Sequence, residues 1–197
     1  MYKRQAPAFR VLWDQVNDQR FLAYALKTAS DDNSVYLKKP MSSSELGQSV
    51  RSAEAFLNRM EAYALSGEEG LALAELNAFR KTRVIGYTDV NLSGQALLDA
   101  IRLERRKELC FEGHRWFDLR RYAVSPKYPE TKAITHVIFK PGTSLMDKAP
   151  YDRSYVLQPY GEDNAWVLPI PEEELVFNNG VMVDLSLIHI SEPTRPI

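Results

Sequence analysis

Two groups of side chains have the types and spacing that could do chemistry. Cys110 and His114 are four residues apart, so a helix would place them on one face as half of a metal site. The run Glu172–Glu174 could supply carboxylates for general acid–base catalysis. However, no nearby carboxylate has a metal-ligand spacing to the first pair, and adjacent glutamates after a proline are typical of a solvated helix start. We therefore predict no catalytic residue, no metal and no cofactor.

Charged and aromatic residues are dense between Leu97 and Tyr122. Because surface helices are seldom so aromatic and core helices seldom so charged, the charges should be paired against apolar surface. We interpret the segment as a structural clamp that fixes a helical core. The predicted clamp residues are Arg102, Glu104, Glu108, Glu112, Arg115, Trp116, Asp118 and Arg120. The ion pairs expected at i, i+3 are Glu104–Lys107, Glu112–Arg115 and Asp118–Arg121, while Arg102, Arg105 and Arg106 can reach more distant carboxylates.

Four tyrosines in the C-terminal third are the candidate ligand contacts. They are Tyr128, Tyr151, Tyr155 and Tyr160. Sugars present apolar C–H faces and hydroxyl rims, which suit aromatic rings with nearby amides. The alternative is that these tyrosines pin a long loop onto the helices, and the sequence leaves both interpretations open.

Composition excludes several classes of function. The chain has 197 residues, of which 45% are hydrophobic, so it can bury one sizeable core. Its 25 basic and 26 acidic residues give no field for binding nucleic acid. The single cysteine rules out an internal disulfide framework, and no apolar run approaches the length that spans a bilayer.

The elements that must position these residues are mainly helices. Apolar residues recur at helical spacing from Val50 to Ala64 and again from Ala72 to Phe79. Between them, Gly67 suits a left-handed helix end, and Ser66 with Glu69 has the spacing of a capping box. Because both helices are rich in alanine, they can pack closely, as in a tetratricopeptide-type pair.

The second half of the chain is divided by its glycines and prolines. Ser93 is a plausible N-cap for a helix that breaks near Gly113 and resumes to Tyr122. Beyond Ser125 the pattern predicts a long irregular stretch with one strand at Ala133–Lys140. Upstream, short strand character is expected at Val35–Pro40. The predicted fold class is mainly α, with tetratricopeptide-like helix pairs and a loop-rich C-terminal portion.

Both ends of the chain look foreign. MYKRQ and LSLIHISEPTR resemble translations of a transposon-end sequencing adapter, read on opposite strands. Residues 1–5 and 185–197 are therefore expected not to be native.

Three blocks together resemble one family. They are VRSAEAFLNRMEAYALSG with ALAELNAFRKTRV, then ERRKELCFEGHRWFDLRR, and finally WVLPIPEEEL. Upstream, Asp18-Gln19-Arg20 is similar to a D-x-R motif. In this order, the blocks resemble the SusD/RagB outer-membrane glycan-binding lipoproteins. The resemblance implies that residues 6–184 are the C-terminal part of a SusD/RagB-like domain.

The resemblance also implies a function. Members of this family are non-catalytic surface lipoproteins of Bacteroidota-type outer membranes that bind oligosaccharides or other nutrients. They deliver these to a TonB-dependent, SusC-like transporter. We therefore expect an oligosaccharide ligand, a SusC-like partner, no nucleic acid, and membrane attachment only through an N-terminal lipid anchor absent from residues 6–184. The alternatives are a helical-repeat interaction scaffold without glycan affinity and a glycoside hydrolase accessory domain.

Overall fold

The fold of this chain is described by a computed structural model. The described residues are 11–27, 35–37, 51–139, 151–168, 170–178 and 181. The predictions for residues 1–5 and 185–197 lie outside them, and the assignment of residues 6–184 to one domain stays a prediction.

Helices dominate the described residues, and two small hairpin sheets accompany them. The helices are α1 (Gln19–Tyr24), α2 (Ser52–Ser66), α3 (Glu69–Lys81), α4 (Gly94–Glu108), α5 (His114–Ala123) and α6 (Glu172–Phe177). A single 3₁₀ turn covers Asn164–Trp166. The strands are β1 (Ala25–Lys27), β2 (Val35–Leu37), β3 (Ile134–Phe139) and β4 (Tyr151–Leu157). This confirms the predicted fold class.

The chain forms two compact units, residues 1–118 and 119–197. In the first unit, α2, α3 and α4 pack together around one apolar cluster. Its fully buried side chains come from all three helices: Leu57, Met60, Ala72, Leu76, Leu97, Leu98 and Ile101. Small alanines at the contacts allow the helices to approach closely, as the sequence predicts. Among the described residues, no helix combines the length and apolar character needed to cross a membrane.

The turn between α2 and α3 follows the prediction in one respect and not in another. Gly67 has φ of 97° and its N–H donates to the carbonyl of Tyr63, which confirms the left-handed helix end. The expected capping box is wrong, because α2 extends through Ser66 and the Ser66 hydroxyl donates to the Tyr63 carbonyl instead. No side chain caps the following helix at its N-cap position, Glu68.

The N-terminus of α4 is capped from another helix. Ser93 occupies the predicted N-cap position, but its side chain makes no capping hydrogen bond. Instead, the backbone N–H of Gly94 donates to the Glu69 carboxylate at 3.0 Å. This contact joins the first turns of α3 and α4, where a carboxylate is also favoured by both helix dipoles.

The N-terminal segment is attached to the loop that follows α3. The backbone N–H of Gln19 donates to the carbonyl of Arg83, and that of Ile85 donates to the carbonyl of Asn17. Asp18 and Val84 form an isolated antiparallel bridge between these contacts. The described part of this segment contains the six-residue helix α1, followed by β1.

The sheets are partly as predicted. Strand β2 lies within the expected Val35–Pro40 and pairs antiparallel with β1. Strand β3 lies within the expected Ala133–Lys140. Its partner β4 was not predicted: Tyr151 and Tyr155 lie in a strand rather than in an irregular loop.

Replacing Gly67 by alanine is expected to lower the free energy of unfolding by about 1–2 kcal/mol, because a Cβ is strained in the left-handed conformation. The matched control is Gly70→Ala in α3, where no atom lies within 4 Å of the added Cβ. Alanine is favoured over glycine in a helix, so this change should stabilise the chain by about 0.5–1 kcal/mol. Urea denaturation followed by circular dichroism measures both. Equal effects of the two substitutions would contradict the assigned role of Gly67.

Candidate functional site

Two glutamates one turn apart on α4 lie at the centre of a buried charge network. Glu104 is 2% exposed and Glu108 is 3% exposed. A buried carboxylate without partners would cost several kcal/mol, so each needs cations within hydrogen-bond distance. The structure supplies these cations from helices and loops that are distant in the sequence.

Glu104 contacts three cations. Its carboxylate accepts hydrogen bonds from Arg20 Nη2 at 2.9 Å and from Arg80 Nε at 3.0 Å. Lys107 Nζ lies 3.8 Å from Glu104 Oε1, which confirms the predicted i, i+3 pair. Burial lowers the pKa of Lys107, and the charge of Glu104 opposes that change.

Glu108 contacts three arginines. Arg51 Nη2 donates to its Oε1 at 3.0 Å, Arg83 Nε to its Oε2 at 3.1 Å, and Arg20 Nη1 to its Oε2 at 3.3 Å. Burial alone would raise the pKa of the Glu108 carboxyl. The hydrogen bond from Arg83 and the three positive charges outweigh burial and hold that pKa below its ordinary value.

Arg20 connects the two glutamates to the N-terminal segment. Its Nε and Nη2 donate to the two carboxylate oxygens of Asp18 at 2.9 and 2.8 Å, a forked geometry. Burial opposes the charged guanidinium, but the Asp18 hydrogen bonds and the charge of Glu104 raise the pKa of Arg20 above its ordinary value. The Asp18-Gln19-Arg20 motif therefore fixes the segment against α4.

A second buried pair joins α4 to the start of α5. Arg105 Nε lies 2.9 Å from both carboxylate oxygens of Asp118, and its Nη1 donates to the Asn58 amide oxygen at 2.7 Å. This long-range contact confirms that an α4 arginine reaches a distant carboxylate. Asp118 thus pairs with Arg105, which lies thirteen residues earlier in the chain. The predicted i, i+3 pair of Asp118 with Arg121 stays a prediction.

The remaining predicted clamp residues lie in different settings. Arg102 Nε is 3.9 Å from Glu61 Oε1, and Glu112 Oε1 is 3.5 Å from Arg51 Nη1. Arg115 and Trp116 line an open pocket of about 440 Å³ in the first unit. In the second unit, the Arg120 guanidinium lies 5.3 Å from the centre of the Tyr160 ring.

Cys110 and His114 are the two residues with the spacing of half a metal site. Cys110 is buried as a reduced thiol, while His114 Nδ1 lies 3.7 Å from Glu54 Oε1. In the described part of the chain, no three His, Cys, Asp or Glu side chains are grouped to hold a metal ion. The Glu172–Glu174 run forms the first turn of α6, as a solvated helix start predicts.

The four candidate tyrosines are in different surroundings. Tyr155 lies on β4 and is 50% exposed, while Tyr128 lies in a turn with φ of 51°. Tyr160 packs edge-to-face on the buried Trp166, with ring centres 5.9 Å apart. Tyr151 begins β4, next to an irregularity in the register. Of these, Tyr155 offers the most accessible ring described.

Comparison with known proteins identifies the family. The model of the SusD family matches residues 17–183. The chain belongs to the SusD/RagB family. A crystal structure of a SusD-like protein from Bacteroides fragilis is similar at 25% sequence identity and a TM-score of 0.42. That match covers 80% of this chain and 27% of the other, so the chain spans about a quarter of that relative's length. No curated protein matches the chain.

SusD-family proteins are in general non-catalytic binding proteins that take part in glycan uptake. In this chain, the middle family block supplies both buried glutamates, and Asp18-Gln19-Arg20 supplies their central cation. Sequence reasoning missed three partners, Arg51, Arg80 and Arg83. The basic residues at the end of α3 are visible in the sequence. The i, i+3 and i, i+4 spacings, however, predict ion pairs only within one helix and could not connect these residues to α4.

Replacing Arg20 by methionine is expected to lower the free energy of unfolding by about 3–5 kcal/mol, because it leaves buried carboxylates without their central cation. The matched control is Lys81→Met: Lys81 Nζ and Asp89 Oδ2 are also 2.8 Å apart, but both side chains are about half exposed. That change should cost under about 1 kcal/mol. Urea denaturation measures both, and similar losses would show that burial does not determine the strength of the network.

The network should also weaken in acid. The folded-state pKa of Glu108 is below its ordinary value of 4.5, so its stabilising contribution is present above that pH. The contribution is lost as the pH falls through the folded-state pKa, because the unfolded chain takes up the proton first. The difference in unfolding free energy between the native chain and Glu108→Gln should therefore shrink below pH 4.5. Exposed Glu173→Gln is the control, and a difference for Glu108→Gln that does not change with pH would contradict the assignment.

Proposed function

We propose that this chain is part of a non-catalytic protein that binds oligosaccharides or other nutrients at the cell surface and delivers them to a SusC-like, TonB-dependent outer-membrane transporter. The single observation that carries the proposal is the family match over residues 17–183. The proposed location is the outer membrane, as a surface-exposed lipoprotein held by a lipid anchor. The proposed partners are the transporter and the glycan.

The environment of the carboxylates favours binding over catalysis. A general acid–base pair in a glycosidase needs carboxyl groups that can exchange protons with a substrate. Glu104 and Glu108 are buried and contact several cations, and Asp118 contacts Arg105. We assign these residues, with the rest of the predicted clamp, a structural role.

Tyr155 is the proposed glycan contact among the four tyrosines. An exposed ring can stack on the apolar face of a sugar without first breaking contacts in the protein. Tyr160 is less suited, because it already packs against Trp166 and Arg120. Tyr128 and Tyr151 remain candidates on sequence grounds.

One observation favours the second candidate, an interaction scaffold without glycan affinity. An open groove of about 500 Å³ lies along α2 and α3, and its lining includes Phe56, Ala78 and Phe79. The exposed aromatic ring of Phe56 could receive a partner segment. This candidate predicts co-purification with the transporter and no retention of the protein by any polysaccharide.

Affinity electrophoresis in gels containing a broad panel of polysaccharides tests the proposal. We expect retardation by at least one polysaccharide, and a Tyr155→Ala variant should bind it about fivefold more weakly because ring stacking is lost. Phe56→Ala, at an aromatic residue of similar exposure in the first unit, is the matched control and should bind normally. Retardation by none of the polysaccharides would exclude glycan binding, while equal effects of the two variants would exclude Tyr155 as the contact.

A further inference from the structure

The hairpin of β3 and β4 places three side chains with complementary chemistry on one face. Antiparallel pairing sets His136 directly opposite Tyr155, and Ile138 directly opposite Arg153. Side chains two residues apart on a strand share a face, so Arg153 lies beside Tyr155 and diagonally from His136. The Arg153 guanidinium carbon is 5.9 Å from the centre of the Tyr155 ring.

These three side chains are exposed, and their polar groups have few partners. Tyr155 is 50% exposed, and the Arg153 side chain is 46% exposed. Across the residues that the structure describes, neither the His136 imidazole nor the Tyr155 hydroxyl forms a hydrogen bond. Arg153 Nε lies 3.3 Å from the carboxylate of Asp152, and its two terminal nitrogens find no acceptor there. The imidazole of His136, the hydroxyl of Tyr155 and the two terminal nitrogens of Arg153 are thus available to bind a ligand on one face.

We infer that this face binds acidic oligosaccharides, with a uronic acid residue on Tyr155. The inference rests on the proposed glycan-binding function and names its ligand class. The Tyr155 ring would receive the apolar C–H face of the sugar. The planar guanidinium of Arg153 suits a carboxylate, to which its terminal nitrogens donate, while His136 can hydrogen-bond a hydroxyl group.

The opposite face differs from this one where its side chains are described. Thr135, Val137, Ser154 and Val156 carry no cation and no ring there, while the aromatic residues Phe139 and Tyr151 pair beyond the irregularity in the register. Asp152 precedes Arg153 on β4. Its carboxylate contacts Nε of Arg153 and leaves the two terminal nitrogens accessible. Because the Asp152 carboxylate repels another anion, a ligand carboxylate would contact the terminal nitrogens of Arg153 on the side away from Asp152.

The test is calorimetric titration of the 197-residue chain with a galacturonic acid tetramer and with its carboxyl-reduced, neutral counterpart. We expect the acidic tetramer to bind more tightly, and added salt to reduce this preference because exposed charges are screened. Arg153→Gln should weaken binding of the acidic tetramer about tenfold and leave binding of the neutral one unchanged.

The matched control is Arg59→Gln, which removes the same charge from a similar setting. Arg59 also lies over an exposed ring, 5.0 Å from the centre of Phe56, and pairs with Glu75 at 2.8 Å. This control should bind both tetramers as the unaltered chain does. Equal affinity for the two tetramers, or equal effects of Arg153→Gln and Arg59→Gln, would overturn the acidic-ligand inference while the proposed function stands. If the chain binds neither tetramer and no polysaccharide of the panel, the acidic-ligand inference and the proposed function are both overturned.

Discussion

The burial of two carboxylates on one helix is the constraint on which the first unit depends. Glu104 and Glu108 cannot leave water unless cations accompany them, and Lys107 on α4 itself is one of these cations. The other cations come from the N-terminal segment, the start of α2 and the end of α3, so these parts must converge on α4. The apolar cluster of the three helices includes no side chain of the N-terminal segment. The charge network fixes that segment together with two other contacts, the packing of Trp13 and Phe21 with Cys110 and the backbone hydrogen bonds to the loop after α3.

This arrangement divides the charged residues between two tasks. The buried charges around α4 neutralise one another: the hydrogen bond from Arg83 to Glu108 depresses the carboxyl pKa, and Asp18 with Glu104 raises the pKa of Arg20. Groups held in their charged forms by neighbours are poor proton donors and acceptors near neutral pH. Exposed polar groups outside this network include those of Tyr155 and Arg153 on β4.

The sequence predicts the helices well because their signals are local. A 3.6-residue apolar period and a glycine at position 67 are enough to define α2, its end and its packing against α3. The ion pairs are harder, since Arg20 and Glu104 are 84 residues apart and no periodicity encodes their contact. The capping interpretation failed for a related reason: Ser66 still belongs to α2, and Glu69 instead receives the N–H of Gly94. Tertiary contacts, absent from local patterns, decided both outcomes.

Strand β4 shows why the tyrosines were difficult to interpret from the sequence. Tyr151–Leu157 lacks a clean alternation of apolar and polar residues, because both faces of the hairpin are largely exposed and neither must be apolar. A two-stranded hairpin whose two faces are both exposed to solvent gains little stability from burial. Core packing therefore does not explain which side chains occur on this hairpin. Tyr160, by contrast, is held by Trp166, whose indole N–H donates to the Gln158 carbonyl at 2.7 Å. Of two tyrosines five residues apart, one therefore packs within the second unit, while the ring of the other is half exposed.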